Sequence, residues 1–154
     1  MGKTLILGAT GNLGGLTAAH LQDRDPKSLR VATSREPGLR RLSRRFPDAE
    51  AVLCDWNDEA SLADAMRGID RVLVVTPDIV TDESVVTPNI IRAAQKAGTV
   101  ELLVRLLGMP PGLTLEQTDP AYVAARCGAG LHVVAKPLFD ESGLPVCYVN
   151  APAC

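Results

Sequence analysis

Aromatic residues are scarce: one Trp, two Tyr and two Phe stand in a chain of 154 residues. Too few rings are present to build the stacking platforms that hold single-stranded nucleic acid. Neither sign of charge dominates. Lys and Arg number 16 against 18 Asp and Glu, for a formal net charge of −2 and a pI of about 5.7. Nothing in that balance calls for nucleic acid or an anionic membrane as a partner. No apolar run approaches the ~18 residues of a membrane-spanning helix. The opening Met1-Gly2-Lys3-Thr4 leads directly into a short apolar segment, with neither the h-region nor the cleavage site of an export signal. Cysteine is sparse as well. Cys54, Cys127, Cys147 and Cys154 form no C-x-x-C pair, and no His lies at metal-ligand spacing from them. This argues against a disulfide framework or a metal site and for a reducing cytoplasm. The cysteines read as small core residues, with Cys154 exposed at the terminus.

What is present is the composition of an ordinary globular protein, 46% hydrophobic and 22% charged, of the size of one domain spanning 1–154. Short apolar runs alternate with helical periods. Thr4-Leu5-Ile6-Leu7 is continuous, as in a strand buried on both faces. A glycine-rich turn follows, then a helix whose inner face is expected to carry Leu13, Leu16, Thr17, His20 and Leu21. His20 is expected to be half-buried there. Strands are expected at 29–33, 51–54, 71–75, 101–107 and 146–149. Helices are expected around Leu39–Phe46, from an Asn57 N-cap to Gly68, at 84–97 with Gly98 as its C-terminal stop, and, more weakly, at 122–126 and 131–141. The order strand, helix, strand, helix at this spacing predicts right-handed βαβ units. The fold class is therefore α/β: a Rossmann-like, doubly wound parallel sheet of about six strands.

The chemistry concentrates in Gly8-Ala9-Thr10-Gly11-Asn12-Leu13-Gly14. A G-x-x-G-x-x-G spacing between a strand and a helix gives each glycine a task. Gly8 permits the tight turn, Gly11 lets backbone approach a pyrophosphate, and Gly14 lets the helix pack close to the strand. The helix N-terminus then offers unpaired N–H groups to the phosphates. The cofactor-binding residues expected from this loop are Gly8, Thr10, Gly11, Asn12, Leu13 and Gly14. In dinucleotide folds an acidic residue at the end of the second strand binds the ribose 2′-hydroxyl, whereas Arg accommodates a 2′-phosphate. Thr33-Ser34-Arg35 has no carboxylate, so Arg35 favours NADP(H) over NAD(H). A solvated surface Arg is the alternative there; for Arg40, Arg41, Arg44 and Arg45 beyond it a solvated face is the better reading, and weak anion steering the sharper one.

The G-A-T-G-N-L-G loop resembles the short-chain dehydrogenase/reductase superfamily, in particular its atypical NmrA-like branch. Val31-Ala32-Thr33-Ser34-Arg35, Cys54-Asp55-Trp56, Val74-Val75-Thr76-Pro77, Pro88 to Gly98 and Ser142-Gly143-Leu144-Pro145 continue the resemblance in order along the chain. It implies that Asp55 and Trp56 line the adenine side and that Thr76 and Pro77 floor the ribose and nicotinamide. Helix-turn roles for Asp55 and Thr76, and a core or rim role for Trp56, stay open beside these. Carbonyl-reducing members use a Ser and a Tyr-x-x-x-Lys pair. Here Leu107-Gly108-Met109-Pro110 offers no Ser, and His132-Val133-Val134-Ala135-Lys136 is the four-residue spacing that aligns. Lys136 is then a candidate ribose ligand and catalytic residue, with a surface Lys as the alternative. His132 is either a proton donor near neutral pH or a hydrogen-bonding wall residue, the second being the better reading.

Family members are longer. The resemblance therefore implies that most of the C-terminal substrate lobe is lacking, and that an exposed apolar edge favours a homodimer or a regulatory protein partner. Two functions follow. One is an NADP(H)-dependent oxidoreductase passing hydride to a small carbonyl or quinone. The other is a non-catalytic NADP-binding redox sensor. A copy without activity is the remote third.

Overall fold

A computed structural model of the protein describes residues 2–151. Its centre is a six-stranded, wholly parallel sheet in the order β3-β2-β1-β4-β5-β6. The strands are β1 (Thr4–Leu7), β2 (Leu29–Thr33), β3 (Glu50–Leu53), β4 (Arg71–Val74), β5 (Leu102–Leu107) and β6 (Val146–Asn150). Helices α1 (Asn12–Gln22), α2 (Glu36–Arg45), α3 (Glu59–Ala65), α4 (Glu83–Ala97), α5 (Pro120–Ala124) and α6 (Ala129–Asp140) connect them. The expected α/β class and strand count hold.

The sheet is buried on both faces because alternate residues of each strand enter different cores. Leu5 and Leu7 of β1 join Val72 and Val74 of β4 and Leu103 of β5 in a core under α3, α4 and α6. Ile6, between them, packs with Val31, Ala18, Leu42 and Phe46 under α1 and α2. Burial of side chains of this size contributes roughly 1.5–3 kcal/mol each relative to exposure. Arg105 of β5 is in register with Val74, so its side chain belongs to the α4/α6 face.

Chain order runs outward from β1 to β3, then crosses back to β4 beside β1. The winding reverses between β1 and β4, and open α/β sheets bind ligands in the crevice at the carboxyl ends of the strands on either side of such a reversal.

Helix signals are legible at several ends. Asp58 caps α3 by accepting from the Ala60 amide, and Asp82 caps α4 by accepting from the Ser84 amide. Gly98 ends α4 in the left-handed region at φ 66°, where a Cβ is unfavourable. Asn57, the expected cap of α3, sits one residue before the actual cap, Asp58, and its amide donates to Asp55 instead. Pro88 and Pro137 lie inside α4 and α6.

The inner face of α1 differs from expectation. It is made by Gly14, Gly15 and Ala18, while Leu13 and Leu16 are 53% and 64% exposed and His20 is exposed. The reason is distance: α1 lies so close to the β1 turn that only glycine and alanine fit beneath it. A Cβ on Gly14 would stand 2.2 Å from the Gly8 carbonyl oxygen. The larger apolar residues are displaced to the flanks. The cysteines divide similarly: Cys54 is buried, Cys127 is partly so, and Cys147 is exposed on β6, contrary to a core role. Cys154 lies outside the described residues.

Candidate functional site: a glycine cradle at the sheet reversal

The loop joining β1 to α1 lies at the winding reversal. Gly8 has φ +95°, and a Cβ there would lie 2.2 Å from the Val75 carbonyl oxygen at the end of β4. Conformation and space therefore both demand glycine. Gly14 is constrained by the Gly8 carbonyl in the same way. Gly11 differs: its φ is −82°, and a Cβ would meet only the Gly8 oxygen, at 3.4 Å. Its free side is open.

Gly11 is the N-cap of α1 and has no side chain with which to cap it. The first backbone bond of the helix runs from the Gly15 amide to Gly11 O (2.9 Å). Among the described residues, the amides of Asn12, Leu13 and Gly14 have no protein acceptor. Thr10, Gly11, Asn12 and Leu13 are exposed. Bare N–H groups, a positive helix end and an open side at Gly11, where no Cβ intervenes, fit a diphosphate.

At the end of β2, Arg35 is the exposed N-cap of α2, and among the described residues its guanidinium has no ion-pair or hydrogen-bond partner. Thr33 packs against Gly38, where a Cβ would come within 2.3 Å of its hydroxyl. Further along α2, Pro37 and Arg40, Arg41, Arg44 and Arg45 line a shallow hollow of about 460 Å³. Arg45 is drawn back toward α1, donating to Gly15 O (3.2 Å) and lying over the Phe46 ring.

After β3, exposed Asp55 accepts from the Asn57 amide (2.9 Å) and side chain (3.3 Å) in an Asx turn, and its own amide donates to Ser61. Trp56 is half-buried against the core under α3 and α4. Its carbonyl accepts from Asn89 Nδ2 (3.1 Å). After β4, Thr76 is buried and donates its hydroxyl to Glu83 Oε1 (2.6 Å), while Pro77 is exposed and its carbonyl accepts from Thr81. The segment that follows is strained. Ile79 has φ 71° and Arg126 φ 53°, a conformation costly for side-chain-bearing residues. The Ile79 amide donates to Arg126 O (2.7 Å), and the Gly128 amide donates to Asp78 Oδ2 (2.9 Å). These bonds tie the loop after β4 to the start of α6.

His132 and Lys136 share α6 but not an environment. Lys136 binds Asp140 Oδ2 (2.6 Å) and lies 4.8 Å from the centroid of the Tyr148 ring on β6. The Tyr148 hydroxyl donates to Asp140 Oδ1 (2.6 Å). Burial works to raise the Asp140 carboxyl, and the bonds from Lys136 and Tyr148 outweigh it, leaving it below the usual range. Burial first, then the Asp140 bond, pushes the Tyr148 phenol up. His132 turns inward. Its Nδ1 lies 3.3 Å from Nη2 of Arg105, which donates to Glu83 Oε1 (2.6 Å). Thr87 donates to the other Glu83 oxygen. Arg105 and Glu83 side chains are 0% and 1% exposed. Burial, reinforced by the Arg105 cation, lowers the His132 imidazole to about 4.

Arg105 and Glu83 were missed in the sequence. The signal was there for Arg105, a charge interrupting Leu102-Leu103-Val104 and Leu106-Leu107 in a strand expected to be buried, where a charge requires a partner.

Residues 8–113 match a family model described as NAD(P)H-binding. The chain belongs to this family. It is a protein of an NAD(P)H-binding family, and its fold is shared with NmrA and with several reductases. Quinone oxidoreductase 2 of Escherichia coli strain K12 is 31% identical over 152 residues, covering 96% of this chain and 51% of that protein. The Citrobacter sp. triphenylmethane reductase complexed with NADP(H) has the same fold, with a TM-score of 0.74 at 22% identity over 95% of this chain and 48% of that one. A mutant NmrA superposes with a TM-score of 0.76 at 19% identity, over 97% of this chain and 45% of that one. The chain thus spans about half the length of these proteins. Among the described residues no helix is long and apolar enough to cross a membrane.

Proposed function

We propose that the chain binds NADP(H) in preference to NAD(H) and serves hydride transfer to a small carbonyl or quinone. The observation that carries this reading is the cradle of Gly8, Gly11 and Gly14 beneath an uncapped α1. The unpaired amides of Asn12, Leu13 and Gly14 hold the diphosphate, with Thr10 beside it and Gly11, whose own amide donates to Gly8 O (3.1 Å), leaving room for it. Arg35, at the end of β2 and without a partner among the described residues, takes the 2′-phosphate with charge-assisted bonds. Asp55 and Trp56 border the adenine, and the end of β4 at Thr76 and Pro77 lies under the ribose and nicotinamide. When bound, the nicotinamide supplies or accepts hydride. Similarity to quinone oxidoreductase 2 supports a quinone as acceptor. Lys136 has no part in this reading, because its ammonium is held by Asp140 and Tyr148. A reducing cytoplasm suits the free Cys54, Cys127 and Cys147.

A second reading, NADP binding without turnover by a redox sensor, is favoured by one observation. The imidazole that stands in the expected acid position is neutral near pH 7 and does not supply a labile proton. Fluorescence titration with NADPH and NADH tests the binding. Saturable binding of NADPH at least about tenfold tighter than NADH, a difference of 1.4 kcal/mol, is expected. No binding of either refutes both readings. NADPH oxidation with a quinone panel separates them: turnover supports the first, and binding without turnover the second.

A further inference from the structure

Four polar side chains from three elements converge beneath the carboxyl ends of β4 and β5, and cofactor binding explains none of them. Arg105 rises from the middle of β5, Glu83 and Thr87 descend from α4, and His132 comes from the first turn of α6. Thr76 adds its hydroxyl from the end of β4. A buried Arg–Glu pair is a poor device for stability, because desolvating both charges offsets most of their attraction. Besides Glu83, Arg105 contacts the imidazole of His132.

Guanidinium carries only donors. The ring nitrogen facing Arg105 Nη2, His132 Nδ1 at 3.3 Å, is therefore the acceptor and bears no hydrogen. The ring's hydrogen then resides on Nε2. Nε2 has no protein acceptor among the described residues. It lies beside Gly108, just past β5, where a Cβ would be 3.3 Å from it. The strand end below it is on the ligand side of the sheet. Protonation of Nδ1 would break the bond and set two cations together.

We propose that Arg105 and Glu83 are positioning residues that hold His132 in one tautomer, with a fixed Nε2–H donor presented past Gly108 to the oxygen of a carbonyl or quinone. This rests on the reductase reading above and deepens it. His132 hydrogen-bonds the acceptor oxygen and does not release its proton. The charged or titratable groups that face it are Arg105 from β5, Glu83 from α4 and Asp78 from the loop after β4.

The test uses ¹⁵N-labelled full chain. Long-range ¹H–¹⁵N spectra contain only two imidazoles, His132 and the exposed His20, which serves as the reference. The expected His132 pattern is a pyridine-like Nδ1 and a pyrrole-like Nε2, unchanged between pH 8 and pH 5. An Nδ1–H tautomer, or titration above pH 5, overturns the proposal without any variant being made. In Arg105→Met the His132 midpoint rises toward 6.5 and the tautomers mix, while Arg105→Lys restores the wild-type pattern in part. A variant that folds and leaves the pattern untouched also overturns it. Addition of 2,3-dimethyl-1,4-naphthoquinone, with NADPH present, should shift the Nε2–H resonance. Quinone-induced shifts elsewhere that spare Nε2–H refute the substrate-facing role. Failure of NADPH to bind refutes the reductase reading and leaves the tautomer result legible by itself.

Discussion

Gly11→Ala and Gly14→Ala should both weaken nucleotide binding, but only the second should cost appreciable stability. In Gly14→Ala the new Cβ would stand 2.2 Å from the Gly8 oxygen and 2.7 Å from its carbonyl carbon, so α1 must move away from the turn by about an ångström. Alanine's helix propensity returns up to ~1 kcal/mol, against roughly 1–3 kcal/mol for overpacking. A net loss of up to ~2 kcal/mol lowers Tm by as much as about 4–8 °C for a chain of this size, and nucleotide binding falls with the displaced amides. Gly11→Ala meets nothing within 4 Å except the Gly8 oxygen at 3.4 Å, at a φ of −82° that alanine adopts freely. Stability should change by no more than ~0.5–1 kcal/mol. Its methyl group nevertheless occupies the open side of the loop, and NADPH affinity should drop at least about tenfold. Thermal melts paired with fluorescence titration of both variants decide the matter. A Gly11→Ala protein that binds NADPH like the wild type would refute the assignment of that open side to the diphosphate.

Arg35→Ala should weaken NADPH by roughly 1.5–3 kcal/mol, the range for hydrogen bonds to charged groups, and leave NADH unchanged; equal losses would dismiss the 2′-phosphate role. Lys136→Ala should cost about 1 kcal/mol or less, since its ion pair is partly exposed, and leave NADPH affinity intact in the same titration. The His132 imidazole, at about 4 in the folded chain against 6.5 when free, makes stability depend on acidity. Its contribution is complete above pH 6.5 and is lost as pH falls toward 4, on the order of 3 kcal/mol; urea melts at pH 7 and pH 4.5, compared with a His132→Gln variant, measure it. Burial first, then the Asp55 charge, pushes the Cys54 thiol up to about 12, so iodoacetamide should modify exposed Cys147 while sparing Cys54, as peptide mass mapping would show.

The positions of the strands and the glycine loop were legible because each rests on a local rule. Apolar runs such as Leu5-Ile6-Leu7 mark doubly covered strands, and glycines at fixed offsets mark a close strand-to-helix turn. The inner face of α1 was not legible. Periodicity assigns Leu13 and Leu16 inward, but the closeness enforced by Gly14 and Gly15 leaves room only for small residues, and backbone distance leaves no trace in hydropathy. The surroundings of His132 and Lys136 were half legible. Their four-residue spacing is correct for one helix face, yet His132 turns inward to Arg105 of β5 while Lys136 pairs with Asp140 further along α6 itself. The buried charge cluster depends on register between β4, β5 and two helix starts, which a linear reading does not supply.

NADP(H) binding by this chain requires that the amides at the start of α1 receive a diphosphate. Backbone ¹H–¹⁵N spectra recorded during addition of NADPH measure this residue by residue. The largest shifts should fall on Thr10, Gly11, Asn12, Leu13 and Gly14, with a smaller set at Arg35 that NADH does not reproduce. Spectra in which the residues of this turn stay fixed while NADPH saturates, or in which nothing moves at millimolar nucleotide, would contradict it.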